Sequence, residues 1–298
     1  MINPYHLQIG VFTLINILMA LSVYIPLSTG QLSLGSAGFM ATGAYVSALL
    51  ATNFPSLPLP VCILFGALLA LILSLIVGYP ALRLKGVYLT IATLGFGEIL
   101  RVLLVNNEWL TKGAIGISSI PSLARSLYAV LGNTSYDNFT AMVLLFLFLF
   151  LLLAIILYLL KKQEHSFIGR AFRAIASDEM AAQSSGIHLT RYKLLAFAEG
   201  AFLAGLAGAL FAHTTSYISP ADFTYQRSIE VLTYVVLGGT EVIAGPLLGA
   251  VTLTLFPEVL RFLAEYRYLI YGTLLIVLMA YRPQGLLIRR FDSQKKDM

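Results

Sequence analysis

Glu98 and Arg101 stand three positions apart in the otherwise apolar run 87–105, so a helix there carries both on one face. A carboxylate and a guanidinium at that depth are costly unless they pair or meet water. They are expected to face a bundle interior, either as a structural ion pair or as groups beside a path for a polar substrate. Glu230 and Glu241 flank a short apolar stretch at 228–237 and offer the same two readings. Hydrolytic chemistry finds no support. His6, His165, His188 and His213 lack ligand spacing such as HExxH, and no serine occupies a GxSxG turn, so neither a catalytic residue nor a metal is expected. No GxxxxG run leads into a lysine followed by Ser or Thr. If ATP powers this chain, another chain binds it.

The elements that must hold these residues are membrane helices. Of 298 residues, 58% are hydrophobic and 11% charged, against about 25% charged in soluble domains. Mean hydropathy is +0.85. Residues 1–82 contain no Asp, Glu, Lys or Arg, a stretch long enough for three spans of about 20 residues. The single cysteine, Cys62, precludes an internal disulfide or a cysteine cluster. The net charge of +5 falls in short clusters between apolar runs, which is how orientation signals look, and nucleic acid is not an expected partner. Residues 7–24 lack a basic leading region and run on into further membrane sequence, so no cleavable signal is expected.

Apolar runs at 7–27, 34–52, 59–79, 87–105, 139–160, 192–213, 228–237, 246–263 and 268–281 predict an all-α polytopic membrane protein of about nine spans, with eight to ten compatible. Residues 1–298 are read as a single transmembrane domain. Arg83 with Lys85, the segment 161–193 and the basic tail 283–298 fall on the cytoplasmic side, and 106–138 becomes an extracytoplasmic loop. Three crossings before Arg83 place the N-terminus outside; two crossings plus a re-entrant segment place it inside. Two glycine-rich breaks, STGQLSLGSAGFMATGAY at 28–45 and LGGTEVIAGPLLGA at 237–250, interrupt the runs. Gly35, Gly38, Gly238, Gly239, Gly245 and Pro246 suit either broken helices around a pathway or tight helix packing.

The hydrophilic stretch SFIGRAFRAIASDEMAAQSSGIHLTRYKLLAF at 166–197 carries its own order. Phe167, Ala171, Ala174 and Ile175 recur at helical spacing, Ser177 or Asp178 caps a second short helix beginning near Glu179, and Gly186 ends it. Two short cytoplasmic helices result. They suit either a membrane surface or a groove on a partner protein, and the small face Ala181, Ala182, Ser184, Ser185 favours the groove.

EMAAQSSG at 179–186 resembles the docking loop of permease subunits of ATP-binding-cassette importers. LSLGSAGFMATGAY (32–45), GVYLTIATLGFGEILRVLL (86–104), IGRAFRAI (168–175) and YGTLLIVLMAYRPQGLL (271–287) are similar to the LivM-type branched-chain amino acid permeases, and together with that loop they cover about 30–287. The resemblance implies a non-enzymatic subunit of a prokaryotic inner-membrane importer without a cofactor of its own. Its implied partners are a second, LivH-type permease, two cytoplasmic ATPase subunits and an extracytoplasmic solute-binding protein. Carried over by position, Arg170, Arg173, Asp178, Glu179, Ala182 and Gly186 would couple to the ATPase. Gly35, Gly38, Thr93, Gly95, Glu98, Arg101, Gly238, Gly239, Gly245 and Pro246 would line or support the path. The family pattern commonly has His where this chain has Ser36, Gly-Gly-Pro at Lys112, Gly113 and Ala114, and Gly-Ser at Glu241 and Val242. Leucine, isoleucine and valine are the default substrates; urea, short amides and other amino acids are carried by similar permeases. A self-sufficient secondary transporter or channel is the competing class, with Glu98 its central candidate.

Overall fold

The computed structural model describes residues 4–130, 137–259 and 272. Its α-helices are α1 (Pro4–Leu27), α2 (Ser36–Asn53), α3 (Leu59–Ala81), α4 (Val87–Asn106), α5 (Glu108–Thr111), α6 (Leu123–Val130), α7 (Asn138–His165), α8 (Phe167–Ser177), α9 (Glu179–Ser184), α10 (Leu189–Thr215), α11 (Tyr225–Gly238) and α12 (Ala244–Val259). Among the described residues, five helices, α1, α3, α4, α7 and α10, are long and apolar enough to cross a membrane. The chain is an all-α polytopic membrane protein. The expected count of about nine is not reached on that criterion, for separable reasons. Helix α2 has 18 residues but spends many of them on Gly, Ala, Ser and Thr, α11 has 14 residues, short of the roughly 20 that a bilayer core needs, and α12 is described only as far as Val259. The run 268–281 and the end of 246–263 lie outside the described residues, as do most of YGTLLIVLMAYRPQGLL and the basic tail.

Helix α2 belongs to the centre of the bundle, packed between α3 and α10 and buried along most of its length. Its small residues explain that place. Where α2, α3 and α10 cross, a Cβ on Gly43 would run into the Gly205 carbonyl, and one on Gly66 would run into the Gly43 carbonyl. Lipid is as apolar as leucine, so close approach of small residues, and not water exclusion, drives such packing. The outer helices show the complement. Leu64, Phe65, Ile72 and Ile76 of α3, and Phe150 and Leu151 of α7, point away from the bundle, which lipid tolerates and water would not.

Local signals set the helix ends. Helix α1 closes on Gly30 at φ +77°, with Gln31 N donating to Pro26 O at 3.1 Å and Gly30 N to Leu27 O at 2.9 Å, the paired bonds of a Schellman end. Asp137 caps α7 by accepting from Phe139 N and Thr140 N, both at 3.2 Å, and the Thr140 hydroxyl and these amides hold its carboxyl below the usual range. The 106–138 loop holds α5, a 3-10 turn at Gly113–Ile115, strand β1 (Ile117–Ser118) and α6. A second two-residue strand, β2 (Tyr217–Ile218), pairs antiparallel with β1 in the register Ile117–Ile218 and Ser118–Tyr217, tying this loop to the end of α10.

Candidate functional site

The first break opens α2 against α4. Leu34 N donates to Thr93 Oγ1 at 3.0 Å and Thr90 Oγ1 to Leu32 O at 3.0 Å, so the unwound 32–35 backbone is paid by hydroxyls of the neighbouring helix. A Cβ on Gly35 would meet Thr93 O at 3.3 Å, and one on Gly38 would lie 2.9 Å from Gly97 Cα. Gly35, Gly38 and Thr93 therefore form one seam. Gly95, on the same helix, has open space where a Cβ would stand.

One turn further along α4, Arg101 Nε and Nη2 both donate to Glu98 Oε1, at 2.9 and 2.5 Å. The pair forms as its spacing predicts. Its surroundings differ from the expectation of a bundle interior: the Arg101 and Glu98 side chains remain 29% and 36% exposed, on the side of α4 that the described residues leave uncovered. The reason is that, among the described residues, α4 is flanked mainly by α2 and the short turns at Gly113–Ile115 and Pro220–Phe223, and Ile91, Ile99 and Leu103 beside the pair are exposed as well.

The second break is a helical hairpin. Gly239 at φ +109° ends α11, and α12 starts five residues later with Pro246 in its first turn, where a missing N–H costs no helix bond. A Cβ on Gly238 would overlap the Gly245 carbonyl, one on Gly245 the Gly239 carbonyl, and one on Gly249 the Tyr234 carbonyl. Gly238, Gly239, Gly245 and Pro246 are all buried, so within this chain they act by tight packing. Ser228 of α11 reaches the other break, accepting from Ser36 Oγ at 3.3 Å and from Ala37 N at 3.0 Å.

The hydrophilic segment folds as α8 and α9. Ser166 caps α8 through Ile168 N at 3.2 Å. Of the two residues that could cap α9, Asp178 does so, accepting from Met180 N at 2.8 Å and Ala181 N at 3.0 Å. Gly186 at φ +83° closes α9 with a Schellman pair, Gly186 N to Gln183 O at 3.0 Å and Ile187 N to Ala182 O at 3.1 Å. Glu179 accepts from Lys193 Nζ at 2.6 Å, and Arg173 Nη1 reaches Glu164 Oε1 at 3.5 Å. Arg170 Nη1 donates to His165 O at 3.3 Å. Met180, 80% exposed, stands outermost. Ala182 departs from the expectation of a contact face: it is 4% exposed and turned into its own chain, because in a one-and-a-half-turn helix one residue must face the bundle.

Both breaks and α8 meet at a cavity of about 390 Å³. The turn after α1 contributes Ser28, the tip of the hairpin Thr240, Glu241 and Ile243, α7 Glu164, and α8 Phe172 and Arg173.

Several polar links escape a reading of local pattern. Gln163 Nε2 donates to both oxygens of Glu199, at 2.9 and 2.7 Å, joining α7 to α10. Arg227 donates to Asn16 Oδ1 at 2.5 Å and to Glu230 Oε2 at 2.8 Å, Tyr234 Oη also donates to Glu230, and Asn16 Nδ2 donates to Thr254 Oγ1 at 3.0 Å. This network ties α1 to both arms of the hairpin, and Glu230 belongs to it. The apolar-run flank of Glu230 was its sole local signal. Buried His213 donates from Nδ1 to Pro121 O at 2.8 Å, which leaves Nε2 to accept from Ser47 Oγ at 2.7 Å. Histidine spacing gives no hint of that role.

Packed glycine crossings, two interrupted helices and a capped pair of short helices outside the bundle define a multi-pass membrane protein. The family described as branched-chain amino acid transport system / permease component matches residues 5–279. The chain is 37% identical to the high-affinity branched-chain amino acid transport system permease protein LivM of Salmonella typhimurium, across 96% of this chain and 71% of that protein, and equally so to LivM of Escherichia coli. It is 29% identical to the permease protein LivH of Escherichia coli across 63% of this chain and 61% of that one. No solved structure matches. The chain belongs to this family of permease components.

Proposed function

We propose that this chain is the membrane-spanning permease subunit of an ATP-binding-cassette importer for branched-chain amino acids. Family membership along residues 5–279, which takes in both breaks and the α8–α9 loop, carries the reading. The subunit does no bond chemistry. It works in the prokaryotic inner membrane beside a second permease of the LivH type, receives substrate from an extracytoplasmic solute-binding protein, and is driven by two cytoplasmic ATPases. Residues 1–298 act as one transmembrane domain, with 106–138 outside, and 161–193 and 283–298 inside. Gln31 Nε2 donates to Lys193 O at 3.1 Å, which sets the end of α1 beside the 161–193 segment and so directs its start outward.

The roles of the site residues follow from their surroundings. Asp178 and Gly186 fix the two ends of α9, Glu179 ties it to α10 through Lys193, and Arg170 and Arg173 orient α8, so a push on exposed Met180 moves α8 and α9 together. Ala182 anchors that unit from beneath. Glu98, Arg101 and Gly95 stand on the open side of α4; a charge pair there is not stable against lipid, and a second permease covering it would place the three along the path. Gly35, Gly38, Thr93, Gly238, Gly239, Gly245 and Pro246 support the path by letting interrupted helices approach closely.

Reconstitution tests the reading. Vesicles holding both permeases and the ATPases, supplied with binding protein outside and ATP inside, are expected to accumulate leucine, isoleucine and valine. Competition by urea and acetamide tests the amide alternative in the same vesicles. Accumulation by this chain alone, without ATP, would overturn the assignment in favour of a secondary transporter.

A further inference from the structure

The cavity between α1, α7, α8 and the hairpin tip has a composition that packing alone does not require. At about 390 Å³ it falls within the range of small-molecule sites, about 300–1,000 Å³, and far above a single-water void. One wall is apolar, formed by Ile25, Leu27, Leu160, Phe172 and Ile243. The same lining carries both signs of charge, Arg173 against Glu164, with Glu241, Ser28 and Thr240 also present. The Arg173–Glu164 contact, at 3.5 Å, is the longest of the ion pairs among the described residues and sits at the outer limit of a hydrogen bond. Arg173 has five N–H donors and commits one of them weakly. A guanidinium and a carboxylate this loosely joined, in one cavity with apolar residues, match a zwitterion with a branched aliphatic side chain: its carboxylate on Arg173, its ammonium on Glu164, its side chain on Phe172 and Ile243.

We propose that this cavity is a second amino-acid site, open to the cytoplasmic side and separate from the translocation path, which takes an aliphatic α-amino acid and restrains α8 against the hairpin tip when filled. The wall elements give the consequence. Helix α8 belongs to the loop that receives the ATPase stroke and 240–243 is the turn of the interrupted helix, so a ligand bridging them opposes their relative motion. Accumulated product then slows its own import. This regulatory step rests on the importer reading, whereas the binding step does not.

The test separates the two. The full chain in lipid nanodiscs, without binding protein or ATPase, is titrated with radiolabelled L-leucine. Saturable binding is expected, competed by isoleucine and valine but at least about tenfold more weakly by 3-methylbutylamine and 4-methylpentanoate, each of which lacks one charge. Ala176→Leu adds bulk from the exposed, cavity-lining face of α8 and is expected to abolish binding while the chain stays monodisperse; Phe150→Leu, on the lipid side of α7, leaves it unchanged. No saturable binding, binding that survives Ala176→Leu, or equal competition by a singly charged analogue overturns the site. In reconstituted vesicles, leucine preloaded on the cytoplasmic side is expected to slow initial ATP-driven uptake severalfold for the wild type and not for Ala176→Leu. Nanodisc binding that behaves as expected in a chain that supports no ATP-driven uptake leaves the site standing and removes the importer reading.

Discussion

Lys193 Nζ donates to Glu179 Oε1 at 2.6 Å across 14 residues, joining the first residue of α9 to the foot of α10. Helix α10 packs along α1, α2 and α3, so this bond links a short surface helix directly to the core of the bundle. Partly exposed ion pairs contribute about 1 kcal/mol or less to stability, so the geometry matters here more than the energy. Lys193→Met is expected to leave folding and insertion intact while lowering ATP-driven uptake about tenfold. The exchange Glu179→Lys with Lys193→Glu restores part of it. Equal uptake by Lys193→Met and wild type in the vesicle assay would remove the bond from the coupling route.

Gly186 tests the shape of the same loop. Its φ of +83° costs other L-residues about 1–2 kcal/mol, and Asn tolerates it better than most. Gly186→Val is expected to lose co-purification with the ATPase subunits at unchanged membrane yield, and Gly186→Asn to keep most of it. No atom lies within 4 Å of a Cβ placed there, so steric crowding does not explain such a loss. Undiminished co-purification of the valine variant would show that the loop end is not read by a partner.

The ends of this loop were legible because capping is local. Asp178 and Gly186 stand where a six-residue helix needs them, and either identity can be read without knowing the fold. Links between distant segments were not. Gln163 and Glu199 lie 36 residues apart, and Asn16 and Arg227 lie 211 apart, so nothing in periodicity brings them together. The glycines of 28–45 and 237–250 announced close approach but not its partner, since packing and pathway ask for the same small residues. Glu98 and Arg101 show a further limit: helical spacing fixes their pairing, while which side of α4 is covered depends on tertiary packing that spacing does not report.

Gly43 and Gly95 separate packing from path. A Cβ at Gly43 would overlap the Gly205 carbonyl, and backbone at a three-helix crossing cannot yield as a flexible side chain does, so Gly43→Val is expected to cost about 3 kcal/mol. At Gly95 a Cβ meets nothing within 4 Å. Thermal unfolding in detergent should therefore drop sharply for Gly43→Val and stay unchanged for Gly95→Ala, whereas leucine uptake should fall for both if Gly95 lines the path. Wild-type uptake in a stable Gly95→Ala would place that residue off the path.

The Glu98–Arg101 pair makes an order-dependent prediction. Arg101→Met leaves a carboxylate without its partner on the open side of α4, at a cost of about 2.5 kcal/mol near the bilayer centre, and Glu98→Gln with Arg101→Met removes the charge altogether. Association with the second permease, measured by co-purification, is expected to fall in the single variant and recover in the double. Recovered association with uptake still impaired would identify the pair with the path; full recovery of both would make it purely structural.

His213 holds the 106–138 loop to the bundle through two bonds at once. Its Nδ1–H meets Pro121 O at 2.8 Å and its Nε2 accepts from Ser47 Oγ at 2.7 Å, in a site with no solvent exposure. The neutral ring satisfies both partners, and a protonated ring would present a second N–H to a hydroxyl that must then turn its own proton away. His213→Leu leaves a buried hydroxyl without a partner at about 1–3 kcal/mol and a part-buried carbonyl at less, while Ser47→Ala removes the hydroxyl together with its need. Thermal stability is accordingly expected to drop more for His213→Leu than for Ser47→Ala. Amide exchange should accelerate in 117–123, where β1 and the start of α6 lose their tether, and remain slow in α2. Acceleration spread evenly over the bundle would show that His213 supports the core at large and not the loop.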